Sequence, residues 1–498
     1  MNIKEAKTEI KNTLLAYHRR DKGGNYIYPA LRQRPILLMG PPGIGKTAIL
    51  EQVASECGVG LVAYTMTHHT RQSSIGLPHI ESKIYGGREV SVTEYTMSEI
   101  IASVYDCMER TGKTEGILFL DEINCVSETL APTMLQLLQN KTFGNHKIPE
   151  GWLIVTAGNP PEYNKSVREF DVATLDRVRS IPVEPDCGVW MEYANEKHVH
   201  PAILSYLAIK PRHFYIVEDT TEGKNFVTAR GWEDLSEMLK ACEDLDVPVT
   251  AALVSQFLQK SEVAKAFAAY YLLYKKYDSD YGIAAMLGGA EDSYAQKVKM
   301  AQKGGFEERF TVIHLLLDAL DSLFCEYELC YGQISGLHSA LEYLRDRQLN
   351  PDEYIAELKK SRDAKVNAGL METEEQHMQQ LLIEKLAEYS LAVKQEHIWD
   401  AAAAFEHIKQ LFAAETAALD ELTSRVAHSL ERAFDFAGDC FGDGQEMHLL
   451  VSHMAKNRRI MTFIAQNGSE SFLKYSNALL FRQQESALQE ECRRLLQL

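Results

Sequence analysis

The stretch "ILLMGPPGIGKTAILEQVASEC" (36–57) confines the fold of this chain more than any other. A short apolar run passes through Gly40, Gly43 and Gly45 into a helix-forming segment, so a strand must hand over to a helix through a tight turn. The backbone N–H groups of such a turn converge on one point, and the helix adds its positive N-terminal end there. Gly40, Pro41, Pro42, Gly43, Ile44, Gly45, Lys46 and Thr47 satisfy the spacing GxxxxGK[ST]. That pattern expects a nucleoside triphosphate, with Lys46 reaching the outer phosphates and Thr47 offering its hydroxyl to Mg²⁺. An ordinary glycine turn is the bland alternative, and the complete pattern leaves it little room.

Four more β-like runs follow "PILLM" (35–39) in the first 185 residues: "GLVAYTM" (60–66), "GILFLD" (116–121), "WLIVTAG" (152–158) and "SIPVEP" (180–185). Helical patterns such as "SEIIASVYDCMERTG" (98–112) separate them. Continuous apolar strands alternating with helices predict a five-stranded parallel sheet covered on both faces, an αβα sandwich. The segment 77–96 breaks the alternation with Gly-Gly between two short alternating runs, and reads as an inserted β-hairpin. In a parallel sheet the carboxyl ends of the strands share one edge. Asp121 therefore arrives beside the phosphate loop, placed to hold Mg²⁺, and Glu122 is the candidate base for an attacking water. Capping of the next helix is the structural alternative for Glu122. Asn159, after the strand "WLIVTAGNP", supplies an uncharged amide to the same edge.

Composition narrows the class. The net charge is −18, of which 281–498 carries about −12, so a nucleic-acid or anionic-lipid surface is disfavoured unless a local basic channel exists. Nine cysteines without a CxxC pair fit reduced thiols. Cys325 and Cys330 read as helix core residues. The charged, amphipathic start and the lack of any long apolar run predict a cytoplasmic chain with no membrane span. After about 186 strand signals almost vanish, and after about 280 the helices lengthen. Met378, Leu382, Leu386, Tyr389 and Val393 form one stripe, and Phe412, Leu419, Leu422, Val426, Leu430 and Ala433 another, which predicts an antiparallel helical pair projecting from the body. His68-His69 and His198/His200 lack a third metal ligand at useful spacing, and "KNRR" (456–459) reads as a solvated basic cluster.

The order of phosphate loop, "LFLDE", "TAGNP", "ATLDRVR" and "FVTARGW" resembles the AAA+ ATPases across about residues 30–245. "HHTRQSSIGLP" with the hairpin after it, and "LDEINCVSETLAPTMLQLLQNKTF", resemble the MoxR branch, one of the groups with an insert in the second helix. The resemblance implies an AAA+ αβα domain (1–185), a helical lid (186–280) and a C-terminal α-helical region (281–498) that it does not cover. It implies that Arg177 of "LDR" is a finger reaching a neighbouring subunit's γ-phosphate, and that Arg230 of "TARGW" senses the γ-phosphate from the lid. Val178 stands where the family has Phe, and Arg179 on a strand-like approach could face the same way as Arg177, so Arg179 and Arg168 remain alternatives for the finger.

The resemblance further implies ATP and Mg²⁺ as cofactors, a homo-oligomer (a hexamer in the family), and a von Willebrand A domain protein as partner. This chain has no Asp-x-Ser-x-Ser motif, so such a domain would lie on another polypeptide. The expected function is a ring-forming ATPase that remodels, assembles or activates a partner protein. The alternatives are a nucleic-acid motor, a restriction-type GTPase and a nucleotide-gated scaffold. Against the motor stand the acidity and an insert whose cations are only Lys83 and Arg88.

Overall fold

The computed structural model describes residues 1–68, 76–127, 130–143, 146–163, 167, 170–220, 223–289, 293–347, 351–367, 371, 373–398 and 401–478. Two compact units divide the chain. One comprises Met1–Lys197 and Lys210–Lys265, the other His198–Ile209 and Ala266–Leu498.

The first unit is built on a five-stranded parallel sheet of β1 (Ile36–Met39), β2 (Gly60–Thr65), β5 (Gly116–Asp121), β8 (Trp152–Gly158) and β9 (Arg179–Pro182), in the order β2-β5-β8-β1-β9. Side-chain alternation splits the strands between two cores. Ile36, Leu38, Ile117, Phe119, Leu153 and Val155 pack with α1 (Ile3–Tyr17) and α2 (Lys46–Cys57). Leu37, Leu118, Leu120, Trp152 and Ile154 pack on the other face with the helices Glu99–Thr111 and Ala131–Asn140. Both faces are covered, which is why these strands read as unbroken apolar runs.

Register fixes the site. Met39 lies beside Gly158 and Pro182, Leu120 beside Thr156, and Thr65 beside Asp121. The carboxyl ends of β1, β5 and β8 therefore finish close together at one edge, and Arg179 of β9, level with Ile36, begins at the opposite edge. The hairpin anticipated at 77–96 is β3 (Pro78–Tyr85) paired antiparallel with β4 (Arg88–Tyr95), and β6 (Thr142–Phe143) makes a short antiparallel pair with β7 (His146–Lys147). The two-residue turn between β3 and β4, Gly86-Gly87, has φ of 57° and 82°, the primed geometry that matches strand twist.

After 186, where strand signals almost vanish from the sequence, one further pair of strands is present among the described residues. β10 (Ile216–Thr220) and β11 (Gly223–Val227) form an antiparallel hairpin before the helix Ala229–Asp244. The run "IVEDTTEGKNFV" is polar at its centre, so it reads as a turn unless its apolar ends are seen to pair.

In the second unit both predicted stripes are on helices, Thr373–Gln395 and Ala401–Phe441. They do not stand as an isolated pair. Ile383, Leu386 and Tyr389 share a core with Ile408, with Leu337–Leu344 of the 42-residue helix Phe306–Arg347, and with Ile355 of Pro351–Asn367. Gly332 and Gly336 of the long helix face Met378 and Leu382, so small residues allow the close helix approach. The KNRR cluster is not simply solvated. Asn457 caps the helix Arg458–Asn467 and donates to Asp321, while Arg459 pairs with Glu328 and donates to His198 Nε2 at 2.8 Å. No helix among the described residues is long and apolar enough to cross a membrane.

Candidate active site

The carboxyl edge of the sheet opens into a cavity of about 500 Å³ in the first unit. Gly43 to Thr47 line it with Asp121, Glu122, Asn159 and Arg230, and Ile3, Val189 and Tyr193 form part of its apolar wall. Gly43 and Gly45 have φ of 73° and 90°, so the loop curls with its N–H groups turned inward. α1 and the helices Glu99–Thr111 and Ala229–Asp244 are capped by the side chains of Asn2, Ser98 and Thr228. α2 begins on Gly45 with no side-chain cap. Its first N–H groups are thus open to an anion.

Lys46 is buried, and its Nζ donates to Gly40 O (2.8 Å), Pro41 O (2.9 Å) and Asn159 Oδ1 (2.9 Å). Burial pushes its pKa down to about 8, against the pull of Asp121 and Glu122. Asp121 is shifted the other way, upward, again chiefly by burial, while the Glu122 N–H (2.8 Å to Oδ1) and Lys46 pull it back. Both shifts come from charges held out of water without a full complement of opposite charge. A bound triphosphate and a divalent cation would supply that complement, so the residues fit ATP and Mg²⁺. Lys46 would hold phosphate oxygens, and Thr47 with Asp121 the metal.

Glu122 stands at φ 56°, a strained conformation for a residue with a side chain, and its Oε2 accepts from Thr67 Oγ1 at 2.9 Å. Thr67 was not anticipated from the sequence, because the bond spans 55 positions and joins the ends of two strands. Asn159 is bound on both sides, since its backbone carbonyl accepts from Asn124 Nδ2 at 2.8 Å.

The helix Ala229–Asp244 abuts the loop. Arg230 N–H donates to Gly43 O at 3.3 Å, the Tyr215 hydroxyl donates to Pro42 O at 2.8 Å, and the exposed Arg230 lines the cavity. Glu233, from the next turn, accepts from Trp190 Nε1 at 3.1 Å and has its carboxyl pKa raised by burial. Lys4 of α1 reaches Glu192 across the cavity lining at 2.5 Å.

The arginines separate. Arg177 is exposed in the turn between the helix Val172–Leu175 and β9, and does not line the cavity. Arg179 starts β9 and turns onto α1, with Nη1 on Thr13 Oγ1 at 2.5 Å and Nη2 on Glu9 Oε2 at 3.4 Å. Arg179 is level with Ile36 and the loop follows Met39, so at roughly 3.3 Å per residue the two edges lie on the order of 10 Å apart. Arg168 and His69 lie outside the described residues. His200 is buried, accepts from Ala202 N–H at 3.1 Å and packs on Tyr271, so it is a core histidine.

Residues 35–178 match a family model described as an AAA domain of the dynein-related subfamily. The chain carries an AAA+ ATPase domain. Such a domain binds nucleotide and, in general, hydrolyses ATP. No curated protein matches the chain.

Proposed function

We propose that this chain is a ring-forming AAA+ ATPase of MoxR type, a hexamer that couples ATP hydrolysis to remodelling, assembling or activating a partner protein. A von Willebrand A domain protein is the proposed partner. The observation that carries the ring is the separation of Arg177 from its own cavity. Arg177 precedes β9 at the amino edge and does not line the pocket that its own chain builds on the carboxyl edge, whereas Arg179 is held on Glu9 and Thr13 of α1. That favours Arg177 over Arg179 as the finger acting on a neighbour.

In this reading, Lys46 and the loop N–H groups orient the triphosphate, and Thr47 with Asp121 would hold Mg²⁺, whose charge would offset that of the phosphate oxygens. Glu122 takes the proton of the attacking water once Thr67 releases it. Asn159 orients the γ-phosphate side, and Arg230 reports its presence to the helix Ala229–Asp244. The hairpin β3–β4 exposes Ile80 and Ile84 at 79% and 76%, a surface suited to polypeptide better than to phosphates.

Turnover measured against protein concentration tests the reading. ATPase activity per chain should rise as the protein assembles, in step with hexamers seen by sedimentation. Constant specific activity in a monomer would overturn it. Sub-micromolar, salt-sensitive DNA binding would favour the motor, and GTP turnover above that of ATP the restriction-type enzyme.

A further inference from the structure

We propose that Asn124 is a positioning residue that ties the turn carrying Glu122 to Asn159, so that the two move as one when nucleotide binds. The inference rests on the reading of Glu122 as base and Asn159 as the amide beside the γ-phosphate. Asn124 lies in the short turn Ile123–Cys125, directly after Asp121 and Glu122, and is 2% exposed. Its Nδ2 donates to the backbone carbonyl of Asn159 at 2.8 Å, across 35 positions of chain. The side chain of that same Asn159 accepts from Lys46 Nζ at 2.9 Å. One buried amide therefore joins the end of β5 to the end of β8, and through Asn159 to the phosphate loop.

Two further observations separate this from ordinary packing. Asn124 Oδ1 is buried with no hydrogen-bond partner among the described residues. A purely space-filling position would not retain an amide, because leaving its oxygen unpaired is costly. The amide also lies flat on Gly158, where a Cβ would come within 2.7 Å of Oδ1 and 2.9 Å of Cγ. Glycine at the last position of β8 is thus required for the amide to reach Asn159 at all. The sequence carries the arrangement as the Asn of "LDEIN" and the Gly of "TAGNP".

The test uses the full chain and needs no turnover for its first arm. In the Glu122→Gln chain, ATP with Mg²⁺ should slow deuterium exchange in both 121–126 and 156–160. Adding Asn124→Ala should confine the slowing to 156–160, and slowing of both segments in that double variant would overturn the proposal. In the second arm, Asn124→Ala in the otherwise native chain should lower kcat about ten-fold or more, with KM for ATP changed by less than about three-fold. Asn159→Ala should then add little, whereas effects that multiply would count against a shared route. Should Asn124→Ala fail to fold, Gly158→Ala provides the same test, because its methyl group displaces the amide. A native chain that binds ATP without turning it over would count against the ATPase reading, and the exchange arm would still decide the role of Asn124.

Discussion

The two edges of one sheet hold very different charges in very different ways. At the carboxyl edge, Lys46, Asp121, Glu122 and Asn159 converge on a cavity, half or more hidden from water and incompletely matched to one another. At the amino edge, Arg179 is settled on Glu9 and Thr13, and the buried Lys141 donates to Gln33 Oε1 at 2.9 Å. Burial pushes both Lys46 and Lys141 down to about 8, yet only Lys46 faces two carboxylates and an arginine across an open cavity. A perturbed lysine alone does not mark a function. What marks it is a perturbation that a ligand of the right charge would relieve.

The largest effect should come from breaking the carboxyl edge outright. Lys46→Ala removes the buried cation of the loop, and thermal stabilisation by ATP with Mg²⁺, present in the native chain, should vanish. Stabilisation that persists unchanged would mean that the nucleotide binds elsewhere. Glu122→Gln should keep that stabilisation while turnover falls by roughly 10²–10⁴. Near-native turnover would remove Glu122 from its role.

The two lysines sharpen the comparison through pH. Each has its folded pKa depressed from 10.5 to about 8, so between those values the folded chain holds fewer protons than the unfolded one and stability rises with pH. Phosphates seated on Lys46 favour its charged form. ATP binding above pH 8 should therefore take up a proton, and affinity should fall by up to ~10-fold per pH unit. Calorimetry in buffers of different ionisation enthalpy measures that uptake. It should persist in Lys141→Met, and its loss there would assign the proton to the wrong edge. Smallest of all, Arg179→Ala should leave turnover near native and cost about 1 kcal/mol or less in denaturant unfolding, as expected of a partly exposed pair.

Much of the carboxyl edge could be read in the sequence because its chemistry demands given residue types at strand ends. Lys46, Asp121 and Asn159 each follow an apolar run, and a parallel sheet brings such positions together whatever the rest of the chain does. Thr67 and Asn124 could not be read that way. Their value lies in single hydrogen bonds between strand ends far apart in sequence, and neither residue type is distinctive there. The contacts of Arg179 with Thr13 and Glu9 were equally hidden, since they depend on where a turn becomes a strand. The stripes of the second unit predicted two helices correctly, but a stripe names no partner, so the shared core with Leu337–Leu344 became visible only in three dimensions.

In the proposed ring the amino edge of one chain completes the carboxyl edge of another, and mixing two inactive variants tests this most directly. Arg177→Ala should still bind ATP but lose turnover by on the order of 10³–10⁵, as fingers do in other nucleotidases. Lys46→Ala keeps its finger and loses its pocket. Mixed rings contain interfaces that pair an intact pocket with an intact finger, so partial ATPase activity should return on mixing. Mixed rings that form and remain inactive would contradict the account.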